Sequence, residues 1–158
     1  MAYAHVYANQ DFFLIQPCVG LRRVRSNPAE PSHVLLPEAA PQDIGASVQD
    51  ALSKYRKLSE DEIPSFFDVV AVERDYAAWT GSMLKKFGYK TRRAMFRRMR
   101  HCLVQVKASE LSIQPTKHEK LEAWGGTGMN GEDVVVIEEG AAAEAIGRAV
   151  LMALERCQ

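Results

Sequence analysis

Two stretches near the ends of the chain repeat one hydrophobic pattern. His33-Val-Leu-Leu-Pro37 leads through an Ala-rich, acidic turn into Ile44-Gly-Ala-Ser-Val-Gln-Asp-Ala-Leu52. Asp133-Val-Val-Val-Ile137 leads through Glu138-Glu-Gly-Ala141 into Ile146-Gly-Arg-Ala-Val-Leu-Met-Ala-Leu154, and five of the nine positions in the second halves are identical. Ile44, Val48, Ala51, Leu52 and Tyr55 recur at the spacing of one helical face, which Ile146, Val150, Ala153, Leu154 and Cys157 repeat. Each unit reads as a short β-branched strand, a tight turn and an amphipathic helix. Pro41 suits a first helical turn, and Glu144 suits the positive end of a helix dipole. Gly45 and Gly147 cost helix propensity and are expected to let each helix approach a sheet closely. Two copies are too few for a solenoid and fit better as two strand–helix units of one sheet.

The pattern elsewhere predicts further elements. Residues 3–8 and 11–16 read as two strands joined at Asn9-Gln10, whose residue types favour a turn. Residues 26–32 are a loop rich in Pro, Ser and Asn, and residues 59–65 are a second, acidic loop. Residues 66–72 are compatible with a strand or with the start of a helix. Residues 74–87 predict a helix that Gly88 stops, and Thr91 is an N-cap for a second helix over 91–99. Cys102, Val104 and Val106 alternate with polar or outward positions, as do Leu111 and Ile113, which predicts a hairpin turning at Ala108-Ser109 and ending at Pro115. A glycine-rich connection, residues 124–131, enters the last strand. The fold class expected is therefore α/β (mixed α+β), one domain over residues 1–158. It has a central mixed sheet of about five or six strands packed by helices. Within it residues 1–32 form an N-terminal hairpin and loop, and residues 33–56 and 133–157 form the related strand–helix units.

Composition narrows the class. At 158 residues the chain supports a self-sufficient core. Cys18, Cys102 and Cys157 are odd in number, distant in sequence and without a C-x-x-C, so neither a disulfide framework nor a zinc knuckle is expected. The first residues have no basic segment followed by an apolar core, and no run approaches the ~18 apolar residues of a membrane span. The expectation is a cytoplasmic protein with reduced thiols and no membrane association.

Twenty Lys plus Arg balance twenty Asp plus Glu, but the charges are unevenly placed. Residues 83–101 hold eight bases and no acid: Lys85, Lys86, Lys90, Arg92, Arg93, Arg97, Arg98 and Arg100. Glu60, Asp61, Glu62, Asp68, Glu73 and Asp75 make an acidic stretch relieved by Arg74, and Glu132, Asp133, Glu138, Glu139 and Glu144 make another. A basic strip is the footprint of phosphate contact, or else a solvated helix face neutralised by acids of the same molecule. Catalytic motifs are incomplete. The glycines at 125, 126 and 128 precede a strand and no Lys follows them, unlike a phosphate loop. His118-Glu119 lacks the second histidine of H-E-x-x-H. His101 and Cys102 point to opposite faces of a strand, and His5 and His33 stand at unrelated spacings. Packed or hydrogen-bonded histidines account for all four. Ser47, Ser82 and Ser109 lie in no nucleophile elbow. No catalytic residue, metal site or cofactor is expected, and the chain does not read as an enzyme.

Three segments carry a likeness to a known family. They are Phe87-Gly-Tyr-Lys-Thr-Arg-Arg-Ala-Met-Phe-Arg-Arg-Met-Arg-His-Cys102, the hairpin end Ile113-Gln-Pro-Thr-Lys-His-Glu-Lys-Leu-Glu-Ala-Trp124, and the terminal Val-Val-Ile with its Ile-Gly…Ala-Leu helix. Together they resemble the immunity proteins of bacterial contact-dependent growth inhibition, over residues 33–157 and most closely over 87–157. Glu138-Glu139 depart from the family-like turn, where a proline matching Pro37 is expected. The resemblance implies a cytoplasmic protein that binds the C-terminal toxin domain of a partner surface protein and blocks it by stoichiometric occlusion, the toxin commonly being a nuclease. A nuclease presents cationic surfaces, so Glu60, Asp61, Glu62, Asp68, Glu73 and Asp75 are the partner-binding candidates. The alternative is a nucleic-acid-binding module using the 83–101 strip, with Arg92, Arg93, Arg97, Arg98 and Arg100 as its patch.

Overall fold

Alternating strands give the computed structural model, which describes residues 1–126 and 129–158, a sheet with two unlike faces. In chain order the elements are β1 (Ala2–Ala8), β2 (Phe13–Gly20), β3 (Val24–Ser26), β4 (His33–Leu35), α1 (Pro41–Ser53), β5 (Arg56–Lys57), α2 (Ile63–Phe66), α3 (Val69–Phe87) and α4 (Arg92–Phe96). Then follow β6 (Arg100–Lys107), β7 (Glu110–Pro115), β8 (Lys117–Lys120), β9 (Ala123–Gly125), β10 (Val135–Glu138) and α5 (Ala143–Glu155). The main sheet runs β10-β7-β6-β1-β2-β3, with β4 and β5 also pairing with β2, and β8 and β9 form a separate ribbon. All pairings are antiparallel except the short parallel contact of β2 with β5. Eight strands exceed the five or six expected, because β3 and β5, of three and two residues, are too short to show alternation. The second strand also runs on to Gly20. Its Pro17 falls between the residues paired with β4 and those paired with β3, so the missing N–H leaves the ladder intact.

The sequence repeat is the tail of a larger structural one. β1 and β2 form a hairpin, β4 pairs with β2, and α1 follows; β6 and β7 form a hairpin, β10 pairs with β7, and α5 follows. Registers agree in detail: Ala4 faces Pro17 as Cys102 faces Pro115, and Phe13 faces Leu35 as Leu111 faces Ile137. The two halves meet at the antiparallel β1–β6 pair, which places a pseudo-twofold axis between them. Residues 54–99 are the insertion that separates the copies.

One face of the sheet carries Ala4, Val6, Phe13, Ile15, Cys102, Val104, Leu111 and Ile113. These pack with Ile44, Val48 and Ala51 of α1 and Ile146, Val150 and Ala153 of α5, all buried. Here the expectation for the two helical glycines is corrected: they pack helix on helix. A Cβ on Gly45 would lie 1.7 Å from the carbonyl oxygen of Ala143, and one on Gly147 would lie 1.7 Å from that of Pro41. Each glycine thus admits the first turn of the opposite helix.

The other face carries a second cluster, in which Phe12, Leu14, Met83, Met95, Phe96 and Met99 pack with Tyr7, Tyr76, Trp79 and Trp124. The ambiguous residues 66–72 are helical: Phe66 ends α2, and Asp68 caps α3 by accepting from Ala71 N at 3.0 Å. The helix therefore starts five residues before the predicted 74. Gly88 ends it with φ 68°, and Thr91 Oγ1 accepts from Ala94 N at 3.1 Å to cap α4, both as predicted. Of the glycine-rich connection, Thr127 and Gly128 lie outside the described residues; Ala123–Gly125 form β9.

Candidate functional site

The acidic candidates gather around α2 and the start of α3, but most are already engaged. Glu60 pairs with Arg22 at 3.0 Å, and Glu62 pairs with Arg56 at 2.7 Å while accepting from the backbone of Ser59. That backbone hydrogen bond, with the Arg56 pair, lowers the carboxyl pKa of Glu62. Asp68 is consumed as a helix cap. Asp75 meets Arg25 at 3.3 Å and Arg74 at 3.4 Å. Among the described residues only Asp61 and Glu73 of the six have no hydrogen-bond or ion-pair partner. The stretch that is acidic in sequence therefore folds against Arg22, Arg25, Arg56 and Arg74. Sequence order hides this for three of the four, since Arg22 comes from the turn after β2, Arg25 from β3 and Arg56 from β5.

The basic strip behaves oppositely. Arg92 is held by Glu122 at 2.6 Å and lies over the Tyr76 ring at 5.4 Å; Arg100 donates to the carbonyl of Leu154 at 3.2 Å, where α5 ends. Lys85, Lys86, Lys90, Arg93, Arg97 and Arg98 are exposed and pair with no acid among the described residues. Met95, Phe96 and Met99 beneath them are buried core anchors.

Folding also joins residues that the sequence keeps apart. Alternation along β1 sends Tyr3, His5 and Tyr7 to the face away from α1 and α5, and alternation along β6 sends His101 and Leu103 there too. His5 Nδ1 lies 2.7 Å from His101 Nε2. The Tyr7 ring lies tilted against that of His101 with centroids 4.6 Å apart, and the Trp124 indole closes the end edge-on at 5.4 Å from Tyr7. Burial pushes His5 down to about 4 and His101 well below the usual histidine range, so both rings are neutral. Burial likewise raises the Tyr7 hydroxyl. Beside this group a cleft opens between the sheet and α3, lined by His5, Tyr7, Arg25, Asp75, Tyr76 and Trp79. Single spacings could not reveal it, because its walls come from four elements. The one legible signal was the alternation of aromatic residues with alanine and valine over residues 3–8.

The remaining histidines are partnered as expected, His33 with Asp50 at 2.6 Å and His118 with the carbonyl of Leu121 at 2.8 Å. His118 also stacks on Trp124 at 4.9 Å. Two of the cysteines come together: Cys102 and Cys157 Sγ atoms are 3.6 Å apart. Among the described residues no three His, Cys, Asp or Glu side chains are grouped for a metal, and no helix is long and apolar enough to cross a membrane.

The scaffold is one mainly antiparallel sheet with α1 and α5 packed on one face and, on the other, α3 with a cleft beside it and an exposed basic strip. The family of contact-dependent growth inhibition immunity proteins (CdiI) matches residues 2–157, and the chain belongs to it. It is 34% identical to the immunity protein CdiI-YPIII of Yersinia pseudotuberculosis serotype O:3 (strain YPIII), over 99% of this chain and 96% of that protein. Among solved structures it resembles a protein of unknown function, NMB0488, from Neisseria meningitidis (TM-score 0.93, 31% identity, covering 99% of this chain and 95% of that one). It also resembles a chain of the CdiA-CT/CdiI toxin and immunity complex from Yersinia pseudotuberculosis (TM-score 0.90, 31% identity, covering 99% and 97%).

Proposed function

We propose that this chain binds the C-terminal toxin domain encoded with it, and that it neutralises that toxin by stoichiometric occlusion in the cytoplasm of the cell that makes both. The observation that carries this reading is the end-to-end likeness to an immunity protein solved in complex with its toxin. The toxin is read as a nuclease, whose active site or substrate groove the immunity protein covers without turnover. Nucleases are cationic where they hold the phosphate backbone, so the α2–α3 face is the proposed contact. Asp61 and Glu73, unpaired among the described residues, are the carboxylates proposed to meet the toxin there, and Glu60, Glu62, Asp68 and Asp75 border the contact with their charges already met by Arg22, Arg56, the α3 N-terminus and Arg25. Complementary potentials of this kind raise the association rate more than the final affinity.

Co-expression with the toxin domain of the adjacent open reading frame tests it. Restored growth and a stoichiometric complex on size exclusion are expected; toxicity without a complex would overturn the reading. Incubating the purified toxin with tRNA, rRNA and DNA then identifies its substrate, and intact nucleic acid in all three would remove the nuclease assignment. The six bases of the 83–101 strip that pair with no acid among the described residues favour one second reading, direct RNA binding. It requires salt-dependent affinity that Arg97→Ala with Arg98→Ala weakens, and absence of RNA binding at moderate salt removes it.

A further inference from the structure

The cleft beside His5 has a volume of about 240 Å³ and opens to the surface between the sheet and α3. At about 30 Å³ per water it holds one side chain rather than a loop. Its walls are the rings of His5, Tyr7, Tyr76 and Trp79, with Tyr76 and Trp79 centroids 5.6 Å apart and Tyr7 and Trp79 centroids 6.4 Å apart.

Hydrogen bonding decides what the floor presents. The Thr116 hydroxyl donates to the carbonyl of His101 at 2.7 Å, so its oxygen accepts from His101 Nδ1 at 3.2 Å. His101 Nε2 is then a lone-pair acceptor and receives the Nδ1–H of His5 at 2.7 Å. This relay leaves His5 Nε2 as an acceptor without a partner among the described residues. Charge decides the rest. The cation and the anion in the wall, Arg25 and Asp75, already pair with each other. Arg25 also donates to the carbonyl of Phe66 at 2.9 Å and stacks 4.0 Å above the Phe66 ring. Arg25 Nε and Trp79 Nε1 have no partner among the described residues but are themselves buried, and the Arg25 charge is already met by Asp75, so a charged guest would be desolvated with little counter-charge left to meet it. The guest that fits is flat, neutral and carries a donor at its edge.

We infer that this cleft is the socket for one tyrosine or tryptophan side chain of the toxin domain, whose O–H or N–H donates to His5 Nε2. The inference rests on the toxin-binding reading and adds the anchor to it; buried aromatic anchors in such pockets dominate interface energetics.

The test measures affinity for the cognate toxin domain with the full chain. Val72→Trp, on the α3 wall, and Pro28→Trp, exposed at the mouth, plug the socket. Each is expected to weaken binding about 30-fold or more, the loss typical of a hot spot, while Ala145→Trp, exposed on α5 across the sheet from the cleft, binds as the parent. Pro28 lies in an exposed loop, so its variant carries the test if Val72→Trp fails to fold. A Tyr/Trp→Ala scan of the toxin is expected to find one residue whose loss weakens binding to the parent but adds nothing to Val72→Trp. Plugged variants that bind within threefold of the parent overturn the socket and leave the toxin-binding reading standing. A coupled toxin residue that proves charged overturns the assigned guest. A parent protein that does not bind the toxin at all refutes the functional reading, and the socket with it.

Discussion

Gly45 rests on the backbone of Ala143 so closely that a methyl group at its Cα would stand 1.7 Å from the Ala143 carbonyl oxygen. The contact is backbone on both sides, so no side chain can turn away to relieve it. Gly45→Ala gains about 1 kcal/mol of helix propensity, but it must drive α1 and α5 apart in the middle of a buried core. We expect a net loss of about 2 kcal/mol, read as a lower urea midpoint, and an equal loss for Gly147→Ala by pseudo-symmetry. A rise in midpoint for either variant would refute the packing.

The His5–His101 pair makes stability depend on pH. Both rings are neutral in the fold, while the unfolded chain titrates with the ordinary histidine value near 6.5. Between 6.5 and about 4 the unfolded state binds more protons, so stability is complete above 6.5 and is lost as pH falls. The part due to His5 amounts to about 2 kcal/mol by pH 5. Urea midpoints at pH 7 and pH 5 should therefore drop more for the parent than for His5→Gln. Parallel drops would sink the assignment.

At the turn between β6 and β7, Ala108 and Ser109 have φ of 51° and 64°. Two positive values define the tight hairpin turn that Asn-Gly adopts without steric cost. Ala108→Asn with Ser109→Gly is expected to stabilise the protein by about 1 kcal/mol, seen as a rise of about 2–4 °C in Tm. An unchanged or lower Tm counts against strain at this turn.

Cys157 is set to be the reactive thiol. The hydrogen bond from Cys102 brings it down to about 7, whereas burial pushes Cys18 up to about 12, and the bond to Cys157, with burial, raises Cys102. Brief iodoacetamide treatment of the native protein at pH 7.5 should modify Cys157 alone, with all three cysteines modified in urea. Earlier labelling of Cys18 or Cys102 in a peptide map would contradict this.

Local pattern was enough to read the two strand–helix units, the Ala108–Ser109 hairpin and the caps at Thr91 and Gly88, because each depends on neighbours within about four residues. The same locality explains the misses. β3 and β5 are too short for a period to register, and residues 66–72 have no period of their own until Asp68 caps α3. The partner of Gly45 is a residue about a hundred positions away, so its role was legible as close packing but not as packing against another helix.

Sequence by itself determined the fold class, the duplicated units and the family likeness, since these follow from periodicity and motif order. Tertiary structure alone decided which charges are paired and where a cleft opens. Pairing β1 with β6 brings His5 onto His101, and laying α3 across that face completes the cleft around them. Folding Arg22, Arg25 and Arg56 against the acidic stretch leaves Asp61 and Glu73 as its acids without a partner among the described residues. Charge pairing and tautomer are properties of distances across the fold, and no spacing along the chain encodes them.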